Sequence, residues 1–278
     1  MFDKVINNIA AAANQAAQGN KEHLEADGLL HCDVCGEKTQ TRVQVLGQER
    51  KVRCICRCVK EKQEREEKAR REEQRLRRIK ALRVQGFDKS EMQGWRFEND
   101  DGKNPKATTA ARSYCERFKE FKEQGKGLLF HGSVGTGKTY TAACIANALI
   151  DKGVPVLMTN FSRIINTVQG RFEGRQEYID SLNNFDLLII DDLAAERNTE
   201  FVNEIVFSVI DARYRSGLPL IVTTNVAARA MAQEREQDRQ RIYSRVLEMC
   251  HPIEVGGADR RAQAAARDYA EINKMLGI

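Results

Sequence analysis

The sequence predicts an α/β protein: a five-stranded parallel sheet between helices, preceded by a small zinc-ribbon-like module and a charged helix. Three observations predict it. Short leucine-rich or β-branched runs at 127–130, 154–159, 186–190, 218–224 and 252–255 alternate with helical patterns, as the strands of a parallel sheet buried on both faces do. A glycine-rich segment follows the first run and opens the helical stretch 140–149. Five of the eight cysteines fall between Cys32 and Cys58.

Composition bounds the possibilities. A chain of 278 residues suffices for one or two domains with a substantial core. Charged residues make up 31% and hydrophobic ones 41%, so much of the surface is solvated. The net charge of +5 permits nucleic-acid contact without arguing for it. No run approaches the roughly 20 apolar residues of a membrane helix, and no signal peptide is visible. A cytoplasmic protein with no membrane partner is therefore expected, and there clustered cysteines suggest metal rather than disulfides.

Taken in order, residues 1–28 are polar and alanine-rich, with Phe2, Val5, Ile6 and Ile9 at helical spacing, and a helix is expected. Cys32 and Cys35 have the two-residue gap that lets both thiolates reach one metal, with Gly36 relieving the turn. Cys54, Cys56 and Cys58 alternate after a strand-like stretch at 41–46. Tetrahedral zinc takes four ligands, so one cysteine is surplus. Cys32, Cys35, Cys56 and Cys58 form the favoured set, with Cys54 or His31 as substitutes. A stretch this short has too little core to fold without such a staple. Residues 59–83 hold eleven Lys/Arg and six Glu, the pattern of a solvated helix laced with i,i+4 pairs. The expected division is thus a zinc module at 1–58, a charged helical linker at 59–83 and a nucleotide domain at 84–278. Trp95 and Phe97 read as core anchors in preference to adenine contacts. A helix is expected over 108–122, with Tyr114, Phe118 and Phe121 on one face.

The chemistry begins at Gly132, Ser133, Val134, Gly135, Thr136, Gly137, Lys138 and Thr139. Between a strand and a helix, G-x-x-x-x-G-K-[ST] is a phosphate-binding loop: backbone N–H groups curl around phosphate oxygens and the helix N-terminus adds positive potential. Lys138 can reach the β- and γ-phosphates of a nucleoside triphosphate, Thr139 can offer its hydroxyl to Mg²⁺, and Tyr140 follows in the first helical turn. The run at 185–192 is a buried strand ending in Asp191 and Asp192. At the carboxyl edge of a parallel sheet, Asp191 is placed to hold Mg²⁺ and Asp192 to polarise the attacking water. The next strand ends in Thr223, Thr224 and Asn225, whose amide can hold that water. Arg241 and Arg245 share a helical face, suited to DNA or to a neighbouring subunit's nucleotide. Arg260 and Arg261 precede the last helix and offer a cationic sensor.

These segments together resemble the DnaC/DnaI-type replicative helicase loaders, which are AAA+ ATPases with the transposition helper IstB as a cousin. The resemblance covers about residues 84–278, and the cysteine module looks like the amino-terminal zinc domain with which such loaders engage the helicase. It implies that Lys138 and Thr139 serve as Walker A, Asp191 and Asp192 as Walker B, Asn225 as sensor 1, Arg245 as an arginine finger acting in a neighbour, and Arg261 as sensor 2. Arg241 and Arg260 are rivals for the last two roles. Asp192 stands where most AAA+ proteins carry Glu, one methylene shorter, which implies slow hydrolysis suited to a switch. The implied partners are a DnaB-type helicase, single-stranded DNA and further copies of this chain joined through their ATP sites. The implied cofactors are ATP, Mg²⁺ and Zn²⁺. A DNA-binding ATPase that assists transposition is the alternative.

Overall fold

The computed structural model describes residues 21–278 other than 46, 172, 197 and 198. The helix expected over 1–28 falls mainly on 1–20, outside the described residues. At 22–24 the expectation is corrected: Glu22–Leu24 is a strand, β1, paired antiparallel with β2 (Leu30–Cys32). The turn between them closes because the Asp27 carboxylate accepts the Leu29 N–H at 3.0 Å and Gly28 adopts φ 71°.

The chain divides into two compact units, one ending at Leu76 and the other spanning Arg77–Ile278. In the first, a second hairpin joins β3 (Gln40–Val45) to β4 (Gln48–Arg53), with Gln40 opposite Arg53. The alternation read at 41–46 falls on β3 as far as Val45, residue 46 lying outside the described residues. The charged stretch forms α1 (Arg57–Gly86), longer than expected at both ends. Its middle is exposed and carries pairs such as Arg65–Glu61 at 3.6 Å and Lys62–Glu66 at 3.9 Å, which contribute little in water. Only Ile79 and Leu82, within the second unit, pack on a core.

The second unit continues with α2 (Pro105–Glu116), begun by Pro105, and α3 (Phe118–Glu123). The single helix expected over 108–122 is therefore two, broken at Arg117 (φ −101°, ψ 21°). Neither Pro nor Gly marks the break in the sequence. The aromatic group survives across it, with Tyr114 5.8 Å from Phe118 and 4.7 Å from Phe121 between ring centroids. Strands and helices then alternate: β5 (Gly127–His131), α4 (Lys138–Asp151), β6 (Val156–Asn160), α5 (Phe161–Gln169), α6 (Arg175–Ser181) and β7 (Leu187–Leu193). After these come α7 (Glu200–Ser216), β8 (Leu220–Thr224), α8 (Ala228–Ala232), α9 (Gln237–Met249), β9 (Cys250–Glu254) and α10 (Arg260–Leu276). Among the described residues, no helix is long and apolar enough to cross a membrane.

The sheet order is β6-β7-β8-β5-β9, with every pairing parallel. Alternate strand residues point to opposite faces. Leu128, Phe130, Leu187, Ile189 and Ile221 meet the α2 and α4 side, while Leu129, Leu188, Ile190, Leu220 and Val222 meet α5, α7 and α9. From β5 the chain crosses to the far edge and returns strand by strand. The carboxyl ends of β5, β7 and β8 therefore open into one crevice, where parallel sheets bind ligands.

One buried charge anchors this sheet. Arg213 on α7 has no exposed surface, and its guanidinium donates to the carbonyls of Phe185 (2.9 Å), Asp186 (3.0 Å) and Pro219 (2.8 Å). Burial pulls its pKa down to about 10. The carbonyls lie just before β7 and β8, so Arg213 ties the amino ends of both strands. Replacing it with Met would keep the volume and orphan those acceptors. Arg213→Met is expected to lower unfolding free energy by about 1–3 kcal/mol, the cost of leaving buried acceptors unsatisfied, read from urea titrations of the full chain; a loss below about 0.5 kcal/mol would refute the anchoring role.

Candidate nucleotide-binding site

The loop at 132–139 leaves β5 and turns tightly enough that side chains are excluded at two of its glycines. Gly132 has φ 144°, and a Cβ there would lie 2.3 Å from the Val255 carbonyl. Gly135 has φ 75°, and a Cβ there would lie 1.9 Å from a carboxylate oxygen of Asp259. The loop thus packs against the start of α10, and the Arg260 N–H donates to the Gly135 carbonyl at 3.0 Å. The Asp259 side chain caps α10 by accepting the N–H groups of Arg261 and Ala262.

Lys138, the first residue of α4, is 5% exposed. Its ammonium donates to the Gly132 carbonyl (2.9 Å), the Ser133 carbonyl (2.7 Å) and Asn225 Oδ1 (2.9 Å). Burial lowers its pKa, while Asp192 and Asp191 pull it the other way. One side chain therefore joins the loop to the end of β8. Thr139 hydrogen-bonds the Asp191 carboxylate, which burial pushes above the usual carboxylate range. Paired hydroxyl and carboxylate oxygens are the hard donor set that suits Mg²⁺.

The two aspartates stand on an irregularity. Pairing of β7 with β8 shifts between Ile190 and Leu193, and Asp192 takes φ 57°. A left-handed backbone at a non-glycine residue costs about 1–3 kcal/mol and persists only when its surroundings hold it. The bulge turns Asp192 outward. It lines a cleft of about 370 Å³ with the loop, Tyr140, Asn225, Arg260 and Arg261. A second hollow of about 230 Å³ adjoins the same aspartates from the side of Asp88, Lys89 and Glu196. Burial raises the Glu196 pKa.

The predicted residues separate into two groups. Lys138, Thr139, Asp191, Asp192, Asn225 and Arg261 converge at the crevice, and Arg260 joins them, held by Asp101 at 3.2 Å. Arg241 and Arg245 do not line the cleft. They sit on α9, stacked over Phe207 at 4.2 and 4.5 Å, and Arg245 pairs with Asp211 at 2.6 Å. Phe97 is a core residue capped by Arg112 at 4.8 Å, whereas Trp95 is half-buried 5.5 Å from Tyr140. The Tyr140 hydroxyl donates to the Arg96 carbonyl at 2.7 Å. Sequence reading missed Asp101, Glu196 and Asp211, whose partners lie far along the chain or in irregular backbone. It passed over Thr223 as a small polar residue.

In the first unit, the Sγ atoms of Cys32, Cys35, Cys56 and Cys58 all lie within 4.8 Å of one another. Cys32 is 3.5 Å and Cys56 3.3 Å from Cys58. A zinc tetrahedron with ~2.3 Å bonds has edges of ~3.8 Å, so four thiolates here fit that ion. Cys54 lies outside the group, its thiol donating to the Lys38 carbonyl at 3.2 Å. His31 is engaged on both ring nitrogens, by Gly36 and Asp27.

The family model described as IstB-like ATP binding protein matches residues 37–267. The replicative helicase loader DnaC of Escherichia coli (strain K12) is 30% identical over 143 residues, covering 49% of this chain and 57% of that protein. The replicative helicase loader DnaI of Bacillus subtilis (strain 168) is 23% identical over 189 residues, covering 63% and 61%. This chain therefore aligns with little more than half the length of these relatives. Among solved structures, a DnaI crystal structure superposes with TM-score 0.52 at 26% identity, over 64% of this chain and 98% of that one. A DnaC helicase loader structure, at TM-score 0.53 and 24% identity over 60% and 100%, shares the fold.

Proposed function

The chain belongs to the IstB-like ATP-binding protein family, and from that premise we propose that it is an AAA+ ATPase that loads a replicative helicase onto single-stranded DNA. The observation that carries this reading is the convergence of Lys138, Asp192 and Asn225 on one cleft, beside a Thr139–Asp191 pair suited to Mg²⁺. Lys138 binds the phosphates, and Thr139 and Asp191 would hold Mg²⁺, which would supply charge neutralisation there. Asp192 and Asn225 orient the lytic water. Arg261 reads the phosphates from the start of α10. The Asp192 side chain is one methylene shorter than Glu, so turnover is slow and the ATP state acts as a switch.

Arg245 is the residue we assign to a neighbouring subunit's site. Within its own chain it lies on α9 away from the cleft, which supports action in trans. Arg245→Ala is expected to keep ATP affinity within about twofold while turnover falls roughly 10²-fold or more. Mixing it with Lys138→Ala protein should restore part of the turnover, measured as phosphate release. Absence of rescue would remove the trans assignment.

In the same reading, residues 1–58 grip the helicase and 59–83 connect them to the ATPase at 84–278. The protein acts in the cytoplasm, and its copies associate through their ATP sites. Co-purification of the full chain with the replicative helicase of its own host tests the loader role. Stable association that depends on the cysteine module is expected, and no association in either ATP or ADP would overturn it. The transposition alternative is not favoured, because the two curated relatives named above are helicase loaders.

A further inference from the structure

The bulge in β7 interrupts backbone pairing where the two aspartates stand: the ladder runs to Ile190↔Val222 and resumes at Leu193↔Thr224. Hydroxyls of β8 make the bonds the backbone cannot. Thr224 Oγ1 donates to the Leu193 carbonyl at 2.7 Å and accepts the Val226 N–H at 3.1 Å. Thr223 Oγ1 donates to Asp191 Oδ1 at 2.6 Å and accepts the Asp192 N–H at 2.9 Å. Both threonines are 0% exposed. A hydroxyl has one proton to give, and Thr223 gives its own to Asp191.

We propose that Thr223 is a positioning residue of the nucleotide site, acting on the metal-holding acid with its donor and on the water-orienting acid with its acceptor. Fixing one carboxylate oxygen restricts rotation of the Asp191 carboxylate beside Thr139. Holding the Asp192 N–H keeps the left-handed turn that sends this side chain into the cleft. A purely structural role would need only a β-branched residue, as at Val222 next to it. Valine is nearly isosteric with threonine, lacks the hydroxyl and so separates the two roles.

This inference rests on the reading that Asp191 and Asp192 serve a magnesium nucleotide, and the test keeps the two apart. Full-length Thr223→Val, Thr223→Ser and Asp191→Asn are compared with wild type. Equilibrium binding of a fluorescent ATP analogue is measured with and without Mg²⁺, and turnover by phosphate release. Thr223→Val is expected to bind nucleotide without Mg²⁺ as wild type does. It should need roughly 10–100-fold more Mg²⁺ for half-maximal enhancement of binding and lose turnover by a similar factor, the usual cost of removing a ligand's supporting hydrogen bond. Thr223→Ser should recover most of both. If Asp191→Asn moves the Mg²⁺ dependence and Thr223→Val does not, the inference falls and the site reading stands. If Thr223→Ser is as impaired as Thr223→Val, the side chain matters for packing and the inference also falls. If Asp191→Asn leaves the Mg²⁺ dependence unchanged, the site reading itself is wrong and takes the inference with it. Thermal unfolding monitored by circular dichroism accompanies each variant. Thr223→Ala replaces the valine variant should that one not fold.

Discussion

Lys138→Ala is expected to reduce ATP turnover by roughly 10²–10³-fold, the scale of losing one preorganised electrostatic contact in a desolvated site, and to weaken ATP binding at least tenfold. The expectation follows from where the ammonium sits. It is the junction of the loop and β8, donating at once to the Gly132 and Ser133 carbonyls and to Asn225 Oδ1. Alanine removes the charge that meets the phosphates and leaves all three acceptors without that donor. Because Lys138 is 5% exposed, water cannot fully replace it. Folding should be retained, since the hydrophobic clusters on both faces of the sheet lie below the crevice. Phosphate release and analogue binding measure the two effects. Turnover within about threefold of wild type would mean that hydrolysis occurs elsewhere. An adaptor whose nucleotide is only structural predicts no wild-type turnover to lose.

Removal of metal is the second large effect. A chelator strong enough to strip zinc is expected to unfold the cysteine-bearing unit while the five-stranded sheet remains folded. Among the described residues of that unit, Leu29, Cys32 and Cys56 are the buried hydrophobic ones. Its two hairpins are two-stranded sheets, which are marginal alone in water. Structural zinc contributes about 10–16 kcal/mol in small zinc domains, so a zinc ion held by these four thiols would decide whether this unit folds. Elemental analysis should find about one zinc per chain. Cys32→Ser or Cys58→Ser should lose it, whereas Cys54→Ser should keep it, because that thiol bonds the Lys38 carbonyl instead. Retention of zinc by Cys32→Ser, with loss by Cys54→Ser, would reassign the ligands; a chain purified without zinc would overturn the site.

The strands of the sheet were legible because each is an apolar run within a buried parallel sheet, where hydrophobicity and β-branching agree. The start at Gly127 and the end at Thr224 stand as expected, and the other ends moved by one to three residues. The run ending at Ile190 continues through the bulge to Leu193, and the one starting at 154 begins at Val156. The break at Arg117 was not legible, since Tyr114, Phe118 and Phe121 have the spacing of one helix whether or not the backbone is continuous. At 22–24 the alanine-rich composition upstream suggested helix, and pairing with Leu30–Cys32 made strand instead. Local propensity yields when a partner strand is available.

The sequence by itself determined the phosphate loop and the order of the acidic and amide residues behind it. A phosphate loop is built from consecutive backbone groups between one strand and one helix, so its chemistry is written in adjacent positions. Tertiary structure decided which thiols of Cys54, Cys56 and Cys58 meet Cys32 and Cys35, which of Arg241 and Arg245 pairs with Asp211, and that Thr223 bridges the aspartates. Those outcomes depend on distances between residues 20 to 35 positions apart, or on a register shift in one strand. Spacing along the chain does not specify such distances until the strands have paired.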